Sequence, residues 1–328
     1  MHSGFLNLYK PIGITAHDCV SRVRKLFKQK RVGHSGTLDP AATGVLPIAL
    51  GQATRLLRFL PEGKAYRATV RFGIVTTTDD MEGEAIATQP FPQISLAEIE
   101  ALLPLFQGKI QQRPPMFSAI HVEGERLYNL ARAGKVVDVP IRTVEVKSIE
   151  VLAWREGEYP ELELAIQCGT GTYIRAIARD LGEKLGCGGT LSGLERTFSN
   201  GFDLSSSLSF DQISEALAQD RFTVLAPDMG LQHLKAVYLE TEQAKRWCQG
   251  QAIAFEPAGS VIPEDLAEDK ENLDKKIDGN LLVSPDRETT TYMRVYNQEH
   301  QFLGMTELRQ DASRKESQTL HPCVVFGD

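Results

Sequence analysis

The sequence predicts an α+β fold with a mixed, largely antiparallel sheet and a second, smaller β-rich unit at its C-terminal end. Three observations carry that expectation. Strand-like runs outnumber helical ones and do not alternate with them regularly, which disfavours a doubly wound parallel sheet. The 328 residues exceed the usual size of one domain. The composition also breaks near Pro227-Asp228, with a short β-rich stretch beyond it.

In chain order, Leu6-Asn7-Leu8-Tyr9 alternates and runs into the turn Lys10-Pro11-Ile12-Gly13. Thr15 is a candidate N-cap for a helix through about Lys28, with Val20, Val23 and Phe27 on its apolar stripe. Residues 33–44 are rich in glycine and small side chains and read as a loop. Tyr66, Ala68, Val70 and Phe72 alternate with Arg67, Thr69 and Arg71, the pattern of a half-buried strand. Thr76 to Gly83 reads as a polar loop, and Ser95-Leu-Ala-Glu98 has capping-box spacing before a helix to about Leu103. Arg113-Pro114-Pro115 is an extended link, and a short helix around Leu127–Ala131 ends at Gly134. Strands are expected over Arg142–Trp154 and Glu161–Cys168, a helix over Tyr173–Leu185 before Gly186, and another helix over 204–225. The last unit should hold strands at Ala236–Leu239, Tyr292–Tyr296 and Phe302–Met305 and a helix around Glu242–Cys248. An acidic segment at 257–290 interrupts it; with so few apolar residues it reads as a flexible insertion.

Composition excludes several classes. No apolar run approaches the roughly 20 residues of a membrane helix, and the N-terminus lacks the pattern of a secretory signal. The five cysteines form no C-x-x-C pair, which favours a reducing cytoplasm. The histidines form no H-x-x-x-H pair, so no metal site is expected, and no G-x-S-x-G elbow occurs. The net charge of −7 argues against a polyanionic partner only if it is spread evenly. It is not: residues 1–71 hold twelve basic and three acidic side chains, and residues 256–288 hold ten acidic and four basic ones. The positive third can attract phosphate or simply solvate helix faces.

Two stretches can carry chemistry. Gly33-His34-Ser35-Gly36-Thr37-Leu38-Asp39-Pro40-Ala41-Ala42-Thr43-Gly44 places a single carboxylate in a glycine-rich loop. Asp39 can serve there as base or nucleophile, and Asp-Pro can equally cap a turn. Cys168-Gly-Thr-Gly-Thr-Tyr173-Ile-Arg175 opens a helix with a glycine-rich turn but has neither dinucleotide nor P-loop spacing.

Taken in order, the stretches Leu8–Thr15, Gly33–Pro47, Lys64–Ala68, Arg113–Ala119, Gly124–Tyr128 and Gly171–Arg175 resemble the TruB family of tRNA pseudouridine synthases. The resemblance runs from about Gly4 to Leu204; the last hundred residues resemble a small PUA-like RNA-binding unit more loosely. It implies a pseudouridine synthase catalytic domain over 1–230 and a PUA-like C-terminal domain over 231–328. It further implies isomerisation of uridine 55 in the tRNA T-loop, by breaking the N1–C1′ bond and rejoining the ribose at C5, without cofactor or metal. The implied partner is the T-arm of tRNA, bound by a cytoplasmic monomer with no DNA or membrane partner.

By the same resemblance Asp39 is the catalytic aspartate, as nucleophile or as base. Tyr66 stacks on the flipped base, Arg175 pairs with Asp39, and Leu194 packs the uracil pocket with Tyr173 at its wall. His34 fills the vacated stack in the RNA, and Lys10 supports the loop or touches phosphate. The chain departs from the family pattern at Ala16, His121 and Glu195; the last stands where arginine is common. An RNA chaperone that folds tRNA is the alternative function, motivated by the basic N-terminal third and the C-terminal unit. A guide-dependent relative would share the catalytic loop. A glycosidase would need two placed carboxylates where one stands out.

Overall fold

The computed structural model describes residues 2–122, 124–135, 137–255, 290–310 and 318–326. All but the last residue of the segment 257–290 lies outside them. The chain forms two compact units, residues 1–54 with 60–224 and residues 55–59 with 225–328.

The first unit contains β1 (Gly4–Lys10), α1 (Ala16–Leu26), β2 (Val32–His34), β3 (Thr43–Leu50), β4 (Lys64–Phe72), β5 (Ile74–Thr76) and β6 (Ala85–Thr88). It continues through α2 (Leu96–Leu102), β7 (Gly108–Gln112), β8 (His121–Val122), β9 (Glu125–Arg126), α3 (Leu127–Arg132), β10 (Arg142–Arg155) and β11 (Glu161–Cys168). It ends with α4 (Ile174–Lys184), β12 (Gly189–Ser199), β13 (Phe202–Asp203) and α5 (Phe210–Ala218).

Its main sheet has the order β1-β3-β12-β4-β11-β10-β7, with β2 beside β3 and β13 beside β12. All its ladders are antiparallel except β12–β3. The mixed, largely antiparallel sheet is therefore as the sequence predicts. β4 buries Tyr66, Ala68, Val70 and Phe72 on one face, and β11 answers with Leu162, Leu164 and Ile166. Ile174, Ile177, Ala178 and Leu181 of α4 close this core. A second core packs α1 through Cys19, Val20 and Val23 onto Leu46, Ile48 and Leu50 of β3.

Local chemistry sets the boundaries. Thr15 caps α1 in a full capping box with Asp18, a cap worth about 1 kcal/mol. The helix stops at Leu26, short of the expected Lys28, whose own φ is +49°. Gly33 and His34, expected as the start of a loop, instead continue β2 and pair with β3, where Val32 is buried. The expected helix over 204–225 shrinks to α5: Asp203 and Ser209 each cap a separate turn, and Asp220 at φ +51° follows the end.

The second unit is a five-stranded sheet, β14 (Ala236–Leu239), β16 (Thr291–Asn297), β17 (Phe302–Gln310), β18 (Gln318–Val325) and β15 (Ile253–Phe255) in that spatial order. The helix α6 (Thr241–Cys248) buries Trp247 among Val237, Met293, Val295 and Leu320. Strands β15 and β18 were not expected from the sequence.

Candidate active site

The loop between β2 and β3 carries Asp39, and backbone-directed cations fix its shape. Lys10, at the end of β1, is wholly buried; its Nζ donates to the carbonyls of Pro11, Pro40 and Ala42 at 2.9, 3.2 and 2.6 Å. Gly13 N–H donates to the Pro40 carbonyl at 2.9 Å, so the Lys-Pro turn and the Asp-Pro loop brace one another. An ammonium so enclosed supports the loop. Of the two roles expected of Lys10, support of the loop or contact with phosphate, this enclosure favours the first.

Opposite the loop, α4 begins at Tyr173, whose N–H and C=O both pair with the Gln112 amide, at 2.8 and 3.0 Å. This anchor sets the direction of the first helical turn and with it Arg175. The guanidinium of Arg175 is 6% exposed and every nitrogen is used. Nε meets Asp39 Oδ2 at 3.0 Å, Nη1 donates to Thr78 O at 3.0 Å and faces Asp80 Oδ2 at 3.5 Å, and Nη2 donates to Phe117 O at 3.0 Å. Asp80 is buried and accepts from Thr78 Oγ1 and from the Glu82 N–H.

Asp39 stands at the floor of an open cleft lined also by Ala41, Met81, Leu191, Gly193 and Leu194. Protein crowds it on most sides, yet 37% of its side chain remains reachable from the opening. Crowding pushes its carboxyl above the usual range, Arg175 pulls it down, and Asp80 pushes it up again. The arginine thus keeps an otherwise desolvated carboxylate available in its ionised form.

Tyr66 lies buried in β4, and burial pushes its phenol up to about 12 while the neighbouring Arg196 works the other way. Arg196 sits opposite Tyr66 in the β12–β4 ladder. It is fully buried and donates to the carbonyls of Val45 at 2.8 Å and of Thr37 and Gly36 at 3.2 Å each. It therefore ties the Asp39 loop to the strand that carries Tyr66. Gly44 permits that approach, since a side chain there would meet Arg196 backbone at 2.2 Å.

Of the residues expected from the sequence, Asp39, Arg175 and Leu194 converge on the cleft. Tyr66 and Tyr173 are not among its lining residues, though both feel the Asp39 charge. His34 ends β2, half-buried, with Nδ1 lacking a partner. Glu195 is held by the Tyr9 hydroxyl, which donates to it at 3.1 Å. Sequence reasoning missed Asp80, hidden in a stretch read as polar loop, and Arg196, adjacent to the departure at Glu195. Among the described residues no group of three or more acids, histidines or cysteines is placed to hold a metal ion, and no helix is long and apolar enough to cross a membrane.

The model of the TruB family pseudouridylate synthase N-terminal domain matches residues 24–174. The tRNA pseudouridine synthase B of Trichormus variabilis is 59% identical over 260 residues, spanning 79% of this chain and 89% of the relative. That of Synechocystis is 49% identical over 262 residues, spanning 79% of this chain and 88% of the relative. Among solved structures, a Cbf5-Nop10-Gar1 complex contains a chain that aligns with a TM-score of 0.68 at 22% identity, over 99% of this chain and 85% of that one. An H/ACA RNP bound to a substrate RNA aligns with a TM-score of 0.67 at 21% identity, over the same shares. At such identities the likeness is one of fold, and it extends to nearly the whole chain.

Proposed function

The chain belongs to the TruB family of pseudouridylate synthases, and from that premise we propose how it acts on RNA. It isomerises uridine in tRNA to pseudouridine; the position is 55 in the T-loop, and Asp39 is the catalytic group. The observation that carries the assignment is the Asp39–Arg175 pair, 3.0 Å apart at the floor of a cleft that leaves the carboxylate reachable.

The target base is stacked in a folded loop and must be extruded to meet Asp39. Leu194 offers the flipped uracil an apolar wall, Tyr66 a ring to stack on, and Tyr173 a boundary behind Arg175. His34 enters the gap left in the RNA stack, where aromatic stacking returns about 1–3 kcal/mol. The ionised Asp39 either attacks C1′ or removes a proton from the sugar. In both routes the N1–C1′ bond breaks, the base turns within the pocket, C5 joins C1′, and the C5 proton is exchanged for one on N1. Lys10 holds the loop. The smaller unit is a PUA-like domain that adds RNA contact, and the enzyme works as a cytoplasmic monomer.

Replacing Asp39 by Asn tests the reading. Pseudouridine at position 55 of a tRNA transcript should disappear while tRNA binding persists. Formation at the unaltered rate would overturn the assignment. A tRNA with cytidine at position 55 should stay unmodified, and modification elsewhere in it would overturn the positional claim.

A further inference from the structure

The strongest unexplained feature lies behind the catalytic loop, where cations gather without an acid. Lys64 opens β4 and is half-buried; its ammonium has no hydrogen bond or ion pair among the described residues. The buried Arg196 guanidinium is beside it and likewise lacks a carboxylate, its nitrogens being directed to carbonyls. Burial holds the Lys64 ammonium below its ordinary value, and Arg196 pushes it the same way. Two like charges kept this close in a partly dry site are mutually unfavourable. A bound anion relieves both.

A side chain at Gly36 would stand 3.0 Å from Lys64 Nζ and 3.8 Å from Arg196 Nη1, so both cations border the glycine. The two residues before it add polar atoms with nothing to bond: Ser35 Oγ and His34 Nδ1 are buried and unpartnered. Buried polar atoms normally find partners. A hydroxyl donor, a primary ammonium and a guanidinium field, with no carboxylate, suit an acceptor-only anion.

We infer that Lys64 and Ser35, in the field of Arg196, hold one phosphodiester of the RNA backbone beside the target uridine. The inference rests on the RNA substrate proposed above. Gly36 and Asp39 are three residues apart, which limits their separation to about 10 Å along the chain. A phosphate seated at Gly36 is thus within one or two nucleotides of the base at Asp39. The contact would give the backbone a fixed point about which the uridine swings out.

The test is a cycle of protein and RNA changes. Affinity is measured for a T-arm stem-loop RNA and for versions carrying a single neutral methylphosphonate at each linkage around the target. With the unaltered chain, one linkage within two nucleotides of the target should lower affinity about tenfold. Lys64→Met should lower affinity for the all-phosphate RNA by the same factor and reduce the slope of log affinity against log salt by about one. That neutral linkage should then have no further effect. Ser35→Ala should show a weaker version of the same non-additivity, and Lys64→Arg should restore the slope. If Lys64→Met leaves the slope intact, or if every linkage adds fully to the protein change, no phosphate sits there. Pseudouridine formation by the unaltered chain on the all-phosphate RNA is scored separately. Its absence counts against the enzymatic reading, whereas the cycle alone decides the phosphate site.

Discussion

The main sheet supports two arginine–carboxylate networks with opposite physical characters. On the solvent-facing side of β4, β11 and β10, Arg67, Arg71 and Arg155 alternate with Glu161 and Glu163 at 2.8–3.3 Å, and the arginines are 34–59% exposed. At the cleft, Arg175 serves Asp39 and Asp80, and it and Asp80 are almost wholly enclosed. The distances are alike and the consequences are not. Exposed pairs contribute about 0–1 kcal/mol each because water and salt screen them. An enclosed pair gains little net stability, but removing one member strands the other in a poor solvent.

The two networks also respond to pH with opposite sign. In the outer lattice, burial raises Glu161, but hydrogen bonds from Arg71, Ser192 and Arg155 outweigh it and leave the carboxyl below its ordinary value. That contribution is present above the unfolded pKa and disappears as pH falls through the folded one. Asp39 is raised by desolvation, which Arg175 only partly offsets. Its contribution is complete below the unfolded pKa of 3.8 and is lost as pH rises through the higher folded value. The Asp39 carboxylate, unlike that of Glu161, ionises against the interest of the fold.

The largest expected effect separates the networks most directly. Arg175→Met leaves Asp39 and Asp80 facing one another without a cation. Unfolding free energy should fall by about 3–5 kcal/mol, and turnover should drop at least about a hundredfold. Denaturant melts and single-turnover pseudouridine assays check both; an Arg175→Met protein of unaltered stability would break the contrast. Asp80→Asn is milder, because Asp39 still pairs with Arg175. It should cost about 1.5–3 kcal/mol, the range for a hydrogen bond to a charged group, and slow turnover less than Arg175→Met does. Next comes the pH arm. Asp39→Asn should melt no lower than the unaltered chain at neutral pH, and its relative advantage should shrink as pH falls towards 3.8. An advantage that grew on acidification would mean the sign is wrong.

How much of this was legible in the sequence follows from the same distinction between local and long-range order. β4, β10 and β11 are half-buried, so their side chains alternate and the strands can be read. β12 could not be read that way. Gly189–Ser199 sits centrally between β3 and β4, breaks register at Leu191/Gly193 and Arg196/Phe198, and brings Gly189 within reach of Ala178 O in α4. Glycine, serine and threonine there answer to close packing rather than to a period of two. Asp39 and Arg175 became candidates through the order of several motifs, since nothing near either residue announces a partner more than a hundred positions away. Asp80 and Arg196 carried no such label. A charged residue in a polar-looking stretch looks the same whether it faces water or a buried counter-charge.

The smallest effect is the most exacting test of the contrast. Glu161 lies opposite Arg71 in one ladder and Arg155 in the other, so each arginine can stand in for its neighbour. Arg155→Ala should therefore cost no more than about 0.5 kcal/mol, and Arg71→Ala, whose Nε and Nη2 both reach Glu161 Oε1, about 0.5–1 kcal/mol. The double replacement removes both cations from Glu161 and should exceed the sum of the single ones by a few tenths of a kcal/mol. Raising the salt should shrink all three values, because the lattice is open to solvent. Arg155→Ala alone costing more than about 1 kcal/mol, or resisting salt, would mean that the outer network is effectively enclosed. The difference between the two regions would then have to come from the number of arginines around each acid, not from burial.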